Sequence, residues 1–398
     1  MKSHLGRRIT AAALALTIAI GLSACATSDD DSGGDTIKVM VFGSFTQPPF
    51  PLPQIQTAAQ AAVDRVNEEG GVDGVPLELI ACDDQGNANG ASACGRQAVE
   101  EDVVAVVGAF TLFGDAIMQF LVEAGIPYVL PNATSELEVQ SEISFPLVGA
   151  IPPSVAALLS FDNQGCETTV LTAFENAQSQ QSYDLFFNPV ADRAGIDTAF
   201  VNYPPDTTDF TTVAARVADA GDCVVYSGGA ADSAAIMLGL QQSGADILAQ
   251  AALSTISMSE TSLAELGPVT DGVQLFAPLL LPSTGEAAVT QAAEDMKAAG
   301  VQDVEAAGLN AYAAVLVVRD FAEGLDDVTA ATLLQALQDP AATAETGIFP
   351  STNFAEDAGY YPITPRVSGS YFYGYIADGG VWEPNPDADV DLAEADLG

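Results

Sequence analysis

The chain has 398 residues, 48% of them apolar, with 11 Lys+Arg against 54 Asp+Glu and a formal charge of −43. That density of negative charge is repelled by DNA, RNA and anionic lipid surfaces, so a nucleic-acid role is excluded. The only histidine is His4, near the start, which leaves no Ser-His-Asp or Cys-His nucleophile and no His-ligated metal site further along.

Lys2, Arg7 and Arg8 precede an apolar run over 9–22. Fourteen helical residues rise about 21 Å, too short for a bilayer core of roughly 30 Å. Residues 1–24 therefore read as a signal peptide. Leu22-Ser23-Ala24-Cys25 resembles a bacterial lipobox, and the resemblance implies acylation of Cys25 and attachment to the bilayer. A polar stretch over 25–35 serves as anchor and tether. Removal of 1–24 takes away three of the 11 basic residues and none of the 54 acidic ones, which leaves −46.

Strand and helix patterns then alternate, which predicts an α/β fold of two doubly wound parallel-sheet lobes joined by several crossings. In the first lobe, strands are predicted at 37–42, 75–81, 103–107 and 126–130. Helices are predicted over 54–69, 90–101 and 115–124. The 54–69 helix places Ile55, Ala58, Ala59, Ala62, Val63 and Val66 on one face. Gly70-Gly71-Val72-Asp73-Gly74 ends it. After Ile151-Pro152-Pro153 the alternation restarts, with strands at 168–173, 198–202, 223–227 and 247–253 and helices near 182–194, 210–220 and 233–243. Residues 278–282 return to the first lobe, followed by helices over 287–299, 306–323 and 329–338. A β-hairpin of 368–375 with Val381-Trp382 follows, and the acidic stretch 383–398 is expected to be disordered. The expected divisions are lobe 1 at 36–151 and 281–340, and lobe 2 at 152–280 and 341–382.

Cys82, Cys94, Cys166 and Cys223 are an even set in an exported chain, so two disulfides are expected. Cys82–Cys94 closes the short loop. Cys166–Cys223 follows by elimination, and each of its cysteines sits at the start of a predicted strand, at neighbouring positions in a 2-1-3 sheet. No Cys-x-x-Cys pair favours a metal, and no cofactor or metal is expected.

Several segments, in order, are similar to the branched-chain amino-acid and amide-binding family of ABC-transporter solute receptors, the type I periplasmic-binding fold. They are the 58–74 helix and turn, Asp83-Asp84-Gln85, Val106-Val107-Gly108, Pro127-Tyr128-Val129-Leu130-Pro131-Asn132-Ala133-Thr134, and Tyr203-Pro204-Pro205-Asp206-Thr207-Thr208-Asp209-Phe210. The resemblance covers about 36–300. It implies a monomeric receptor that closes on a small-molecule ligand and hands it to a permease in the membrane.

Gly108-Ala109-Phe110-Thr111 and Asn132-Ala133-Thr134 each follow a predicted strand and open onto a helix. Such loops offer free N–H groups, a hydroxyl and a positive helix end, a combination suited to a carboxylate or amide oxygen. The resemblance implies that Thr111 and Thr134 donate hydroxyls and that 132–134 contribute backbone contacts; a plain N-cap is the alternative for each threonine. Phe110 belongs to the same loop. Phe45, with Gln47 and Phe50, is either the cleft rim or a surface loop stiffened by four prolines. In the second lobe the candidates are Gln178, Tyr226 and Ser254. The family's ammonium-binding carboxylate falls near Leu253-Ser254-Thr255, where this chain has hydroxyls, so Glu175 or Asp232 takes that role or the ligand has no ammonium. The competing readings are a sensor of the same fold, against which no output domain is visible, and an enzyme, for which carboxylate pairs such as Asp83-Asp84 are no support, since 54 acids produce pairs by chance.

Overall fold

The computed structural model describes residues 36–47, 51–148, 152–245, 251–253, 259–356 and 367–394. The signal segment, Cys25, the tether, Phe50 and Ser254 lie outside the described residues.

In the first lobe, β1 (Ile37–Gly43), α1 (Pro53–Glu68), β2 (Leu77–Asp83), α2 (Ala88–Glu100), β3 (Ala105–Val107), α3 (Gly114–Ala124), β4 (Tyr128–Val129), α4 (Glu136–Gln140) and β5 (Ser144–Phe145) follow in turn. The strands form a parallel sheet of order β2-β1-β3-β4-β5. β3, and β1 from Val39 onward, are apolar on both faces, as a sheet covered on two sides requires. α1 buries the face its spacing predicted, and a proline in its first turn suits that position. The turn after it depends on Gly71, at φ +74°, where a Cβ would collide with the Val75 backbone.

In the second lobe, α5 (Pro152–Asn163), β6 (Thr168–Phe174), α6 (Ala177–Ser182), α7 (Asn188–Ala194), β7 (Asp197–Tyr203), α8 (Thr211–Ala220), β8 (Cys223–Tyr226), α9 (Ala230–Ser243), β9 (Ala251–Leu253), α10 (Glu260–Leu266) and β10 (Gln274–Ala277) follow. The sheet runs β7-β6-β8-β9-β10 in parallel. The helix predicted near 182–194 begins earlier and carries one π-helical turn, Tyr183–Phe187, between α6 and α7. Both expected disulfides form. Cys82–Cys94 has Cα atoms 5.7 Å apart and Cys166–Cys223 6.1 Å. The second is placed by the register that sets Cys223 beside Thr169.

The chain then returns to the first lobe as α11 (Ala287–Ala298), α12 (Ala306–Ala322) and α13 (Ala330–Leu337), with α12 packed along α1. Arg65 of α1 reaches Asp295 of α11 with Nε at 2.9 Å and Nη2 at 2.5 Å, and Tyr312 of α12 donates to the same carboxylate at 2.7 Å. Burial pushes the Asp295 carboxyl up, but the hydrogen bonds from Arg65, Tyr312 and Gln291 outweigh it and hold the group below its ordinary range. Beyond α13 the ring of Phe354 meets those of Phe145 and Phe321.

β11 (Tyr371–Asp378), β12 (Val381–Pro384) and β13 (Val390–Asp391) complete the second lobe. β11 runs antiparallel to β10 and pairs with both β12 and β13. The expectation of disorder from 383 is corrected here up to Glu394. Val390 and Leu392 are buried, and Asp389 accepts from Tyr371 Oη at 2.6 Å and Gly374 N at 2.7 Å. Two apolar residues and one satisfied carboxylate hold the strand that the acidic composition hid. The passes between the lobes lie side by side. Ser368 N donates to Pro146 O at 3.3 Å, Gly369 N to Leu147 O at 2.7 Å, and Leu281 N to Tyr375 Oη at 2.9 Å.

Candidate ligand site at the carboxyl edges of the sheets

In doubly wound sheets, ligands meet the loops beyond the carboxyl ends of the strands. In the first lobe four such loops are tied together from within. Asp84, fully buried after β2, accepts from Ser44 Oγ at 2.6 Å, Gly86 N at 2.8 Å and Thr111 Oγ1 at 2.5 Å. It thereby joins the loops after β1, β2 and β3. Its neighbour Asp83 accepts from Thr46 Oγ1 at 2.6 Å and Gln85 N at 2.9 Å. Burial raises the Asp83 carboxyl, and those bonds, with one from Phe45 N, bring it below its usual value.

The loop after β3 turns at Gly108, which has φ +53° and lies against the Ala311 backbone of α12, so no side chain fits there. Thr111 is fully buried, and besides donating to Asp84 it accepts from Phe113 N at 3.0 Å. Its hydroxyl is therefore engaged by the fold, and α3 starts later, after Phe113. The loop after β4 docks on this one. Asn132 N donates to Ala109 O at 3.0 Å, and Thr134 Oγ1 donates to Thr111 O at 2.9 Å. Asn310 of α12 holds Leu130 O at 2.7 Å from behind. Phe110, Asn132, Ala133, Thr111 and Thr134 thus come together. Phe45 and Phe110 are both buried, with Gly43 and Phe110 bridged in parallel.

Glu138 completes the arrangement and was not singled out from the sequence. Its Oε2 accepts from Thr134 N and Ser135 N, each at 2.9 Å, while Ser135 Oγ accepts from Glu138 N at 3.4 Å, a reciprocal capping box. The pattern Ser135-Glu136-Leu137-Glu138 was the available signal. The carboxylate occupies the space that Gly114 leaves by having no Cβ. Burial pushes its pKa up to about 7, against the lowering effect of the Thr134 and Ser135 hydrogen bonds. Tyr128 beside it is raised well above its ordinary value, first by burial and then by the charges of Glu138 and Asp84. Tyr128 Oη, Glu138 Oε1 and Asn132 Nδ2 have no hydrogen-bond partner among the described residues.

In the second lobe, Tyr226 is fully buried at the end of β8, with Oη unpartnered among the described residues. Burial raises its phenol. Tyr203 Oη donates to Asp232 at 3.1 Å, an approach that Gly228 leaves open, and its ring meets Phe210 edge-on at 5.2 Å. Asp232, one of the two candidates for an ammonium, is thus partnered by a phenol. Glu175 is exposed, and its N–H is bound to Tyr203 O at 2.6 Å. Gln178 lies in α6, with its side chain outside the described ones.

A 26% identical relative, the Leu/Ile/Val-binding protein homolog 3 of Brucella melitensis, aligns over 320 residues, 76% of this chain and 85% of its own. Among solved structures, the ABC transporter substrate-binding protein of Sphaerobacter thermophilus superposes with a TM-score of 0.74 at 19% identity, over 90% of this chain and 98% of that one. The fatty acid ABC transporter substrate-binding protein of Thermomonospora curvata gives 0.73 at 18% identity, over 90% and 94%. These likenesses establish the two-lobed fold. The periplasmic binding protein family profile matches residues 43–359, most of the chain from β1 onward, and the chain belongs to that family.

Proposed function

We propose that the protein is the extracytoplasmic solute receptor of an ABC importer, held to the membrane through an acylated Cys25, and that it captures one small polar organic molecule between its lobes. The observation that carries this is the locked pair of loops at 108–113 and 131–135. Asp84, Thr111 and Thr134 hold it rigid at the edge where such sheets bind ligands. The names of the relatives support a transport role, and their range, from branched-chain amino acids to a fatty acid, leaves the solute to be read from this chain's own residues.

In this mechanism the solute first meets the preformed loops of the first lobe. The adjacent passes then act as a hinge, and the second lobe brings the 226–232 loop over it and excludes water. The closed form is what a permease would engage. The receptor works as a monomer, with no cofactor.

The test uses the chain from Ala26 onward, screened by thermal shift against amino acids, amides, urea and short carboxylates. A solute at 100 times its Kd adds about 2.7 kcal/mol to stability. Trp382, the only tryptophan, gives a second readout by fluorescence. A flat response to every solute in both readouts would remove the receptor reading.

A further inference from the structure

Glu138 places a carboxylate of the protein's own where the loop pattern led us to expect that of a solute. Its Oε2 takes the N–H groups of both Thr134 and Ser135, and its head fills the hollow over Gly114. The side chain is fully buried, so water does not compete for those two donors. Two backbone donors of the second loop are therefore satisfied before any solute arrives. The titratable groups that act on it and on its neighbour Tyr128 add no positive charge: Asp115 from α3 acts on Glu138, and Asp84 from the loop after β2 acts on Tyr128. The segments 43–47, 83–90, 108–118 and 130–140 contain no Lys, Arg or His. A donor beside the loop that is unmatched among the described residues, Asn132 Nδ2, is neutral.

On the receptor reading given above, we propose that Glu138 sets the ligand class: the solute meets the first lobe with a polar group that carries no negative charge, and a carboxylate is excluded from that position. An amide, a urea or a hydroxylic group satisfies Asn132 without needing the Thr134 and Ser135 N–H groups that Glu138 already holds. A carboxylate would find its donors taken and only acids nearby.

Formate is the smallest probe of the point, read by ¹⁵N NMR at the amides of Thr134 and Ser135 in the mature chain. In the wild-type protein both signals are expected to stay in place. In Glu138→Ala, which frees both donors and opens the hollow, both should move and saturate. Glu138→Gln keeps the shape and an acceptor oxygen, so it should behave as the wild type. Formate moving the two amides equally in wild type and Glu138→Ala overturns the proposal, and so does formate moving them in neither. If Glu138→Ala does not fold, the wild-type arm decides alone: saturable movement of the two amides refutes the idea, and silence supports it. The solute screen is scored separately. A flat screen with the expected formate behaviour refutes the receptor and leaves the filled anion pocket standing, whereas a carboxylate solute bound at Thr134 and Ser135 refutes the role of Glu138 alone.

Discussion

Replacing Glu138 by glutamine should change how stability depends on pH, by an amount the structure sets. Burial lifts this carboxyl from 4.5 to about 7. That difference is about 2.5 units, and at 1.36 kcal/mol per unit it corresponds to about 3 kcal/mol. Because the folded pKa is the higher one, the folded chain keeps a proton that the unfolded chain releases between roughly 4.5 and 7. The contribution is fully present below about 4.5, shrinks as pH rises, and is gone above about 7. Glutamine has no proton to lose there. Urea unfolding of both proteins at pH 4.5, 6 and 8 isolates the effect, since repulsion among the remaining acids is common to the two. Glu138→Gln should gain on the wild type by about 3 kcal/mol between the lowest and highest pH. Parallel profiles, or a wild type that gains on the variant as pH rises, would refute the assignment of a buried, proton-holding carboxyl.

Paired Cys→Ser changes should cost about 3 kcal/mol at Cys82–Cys94 and about 4 kcal/mol at Cys166–Cys223, because the second closes the longer loop; urea unfolding in the reverse order would contradict the loop-entropy argument. Gly108→Ala meets both a left-handed backbone and the Ala311 main chain, and should lose at least about 2 kcal/mol by thermal unfolding. Arg65→Met leaves Asp295 with Tyr312 and Gln291 only, and should cost about 1–2 kcal/mol near neutral pH. The Asp295 carboxyl is held low, so its contribution is present above its unfolded pKa and is lost as pH falls through the folded one. The acid limb of the stability profile should therefore flatten in that variant.

The alternation of strands and helices was legible because each element carries its own period. The face of α1 and the buried β3 need no distant partner to be recognised. The disulfides were legible for the same reason, one from a short loop and one from adjacent strand starts. The work of Thr111 was less so. Its position in the loop pattern suggested a ligand donor or an N-cap, but the residue that engages it, Asp84, gathers hydroxyls from Ser44 and Thr111, which no local spacing connects. Glu138 left a visible trace as the fourth residue of a Ser-x-x-Glu run. Its burial could not be read because it depends on Gly114, in a different element. The terminal strand was hidden by composition. Asp387, Asp389 and Asp391 read as a solvated tail, while Val390 and Leu392, which decide the matter, are only two residues.

Hydrogen exchange of the mature chain, with and without the strongest solute from the screen, tests the two-lobed receptor most directly. The account predicts slowed exchange in 108–113 and 131–135 of the first lobe together with 226–232 of the second, as one solute draws both edges shut. Slowing in neither lobe's loops, or in elements away from the carboxyl edges, would contradict it.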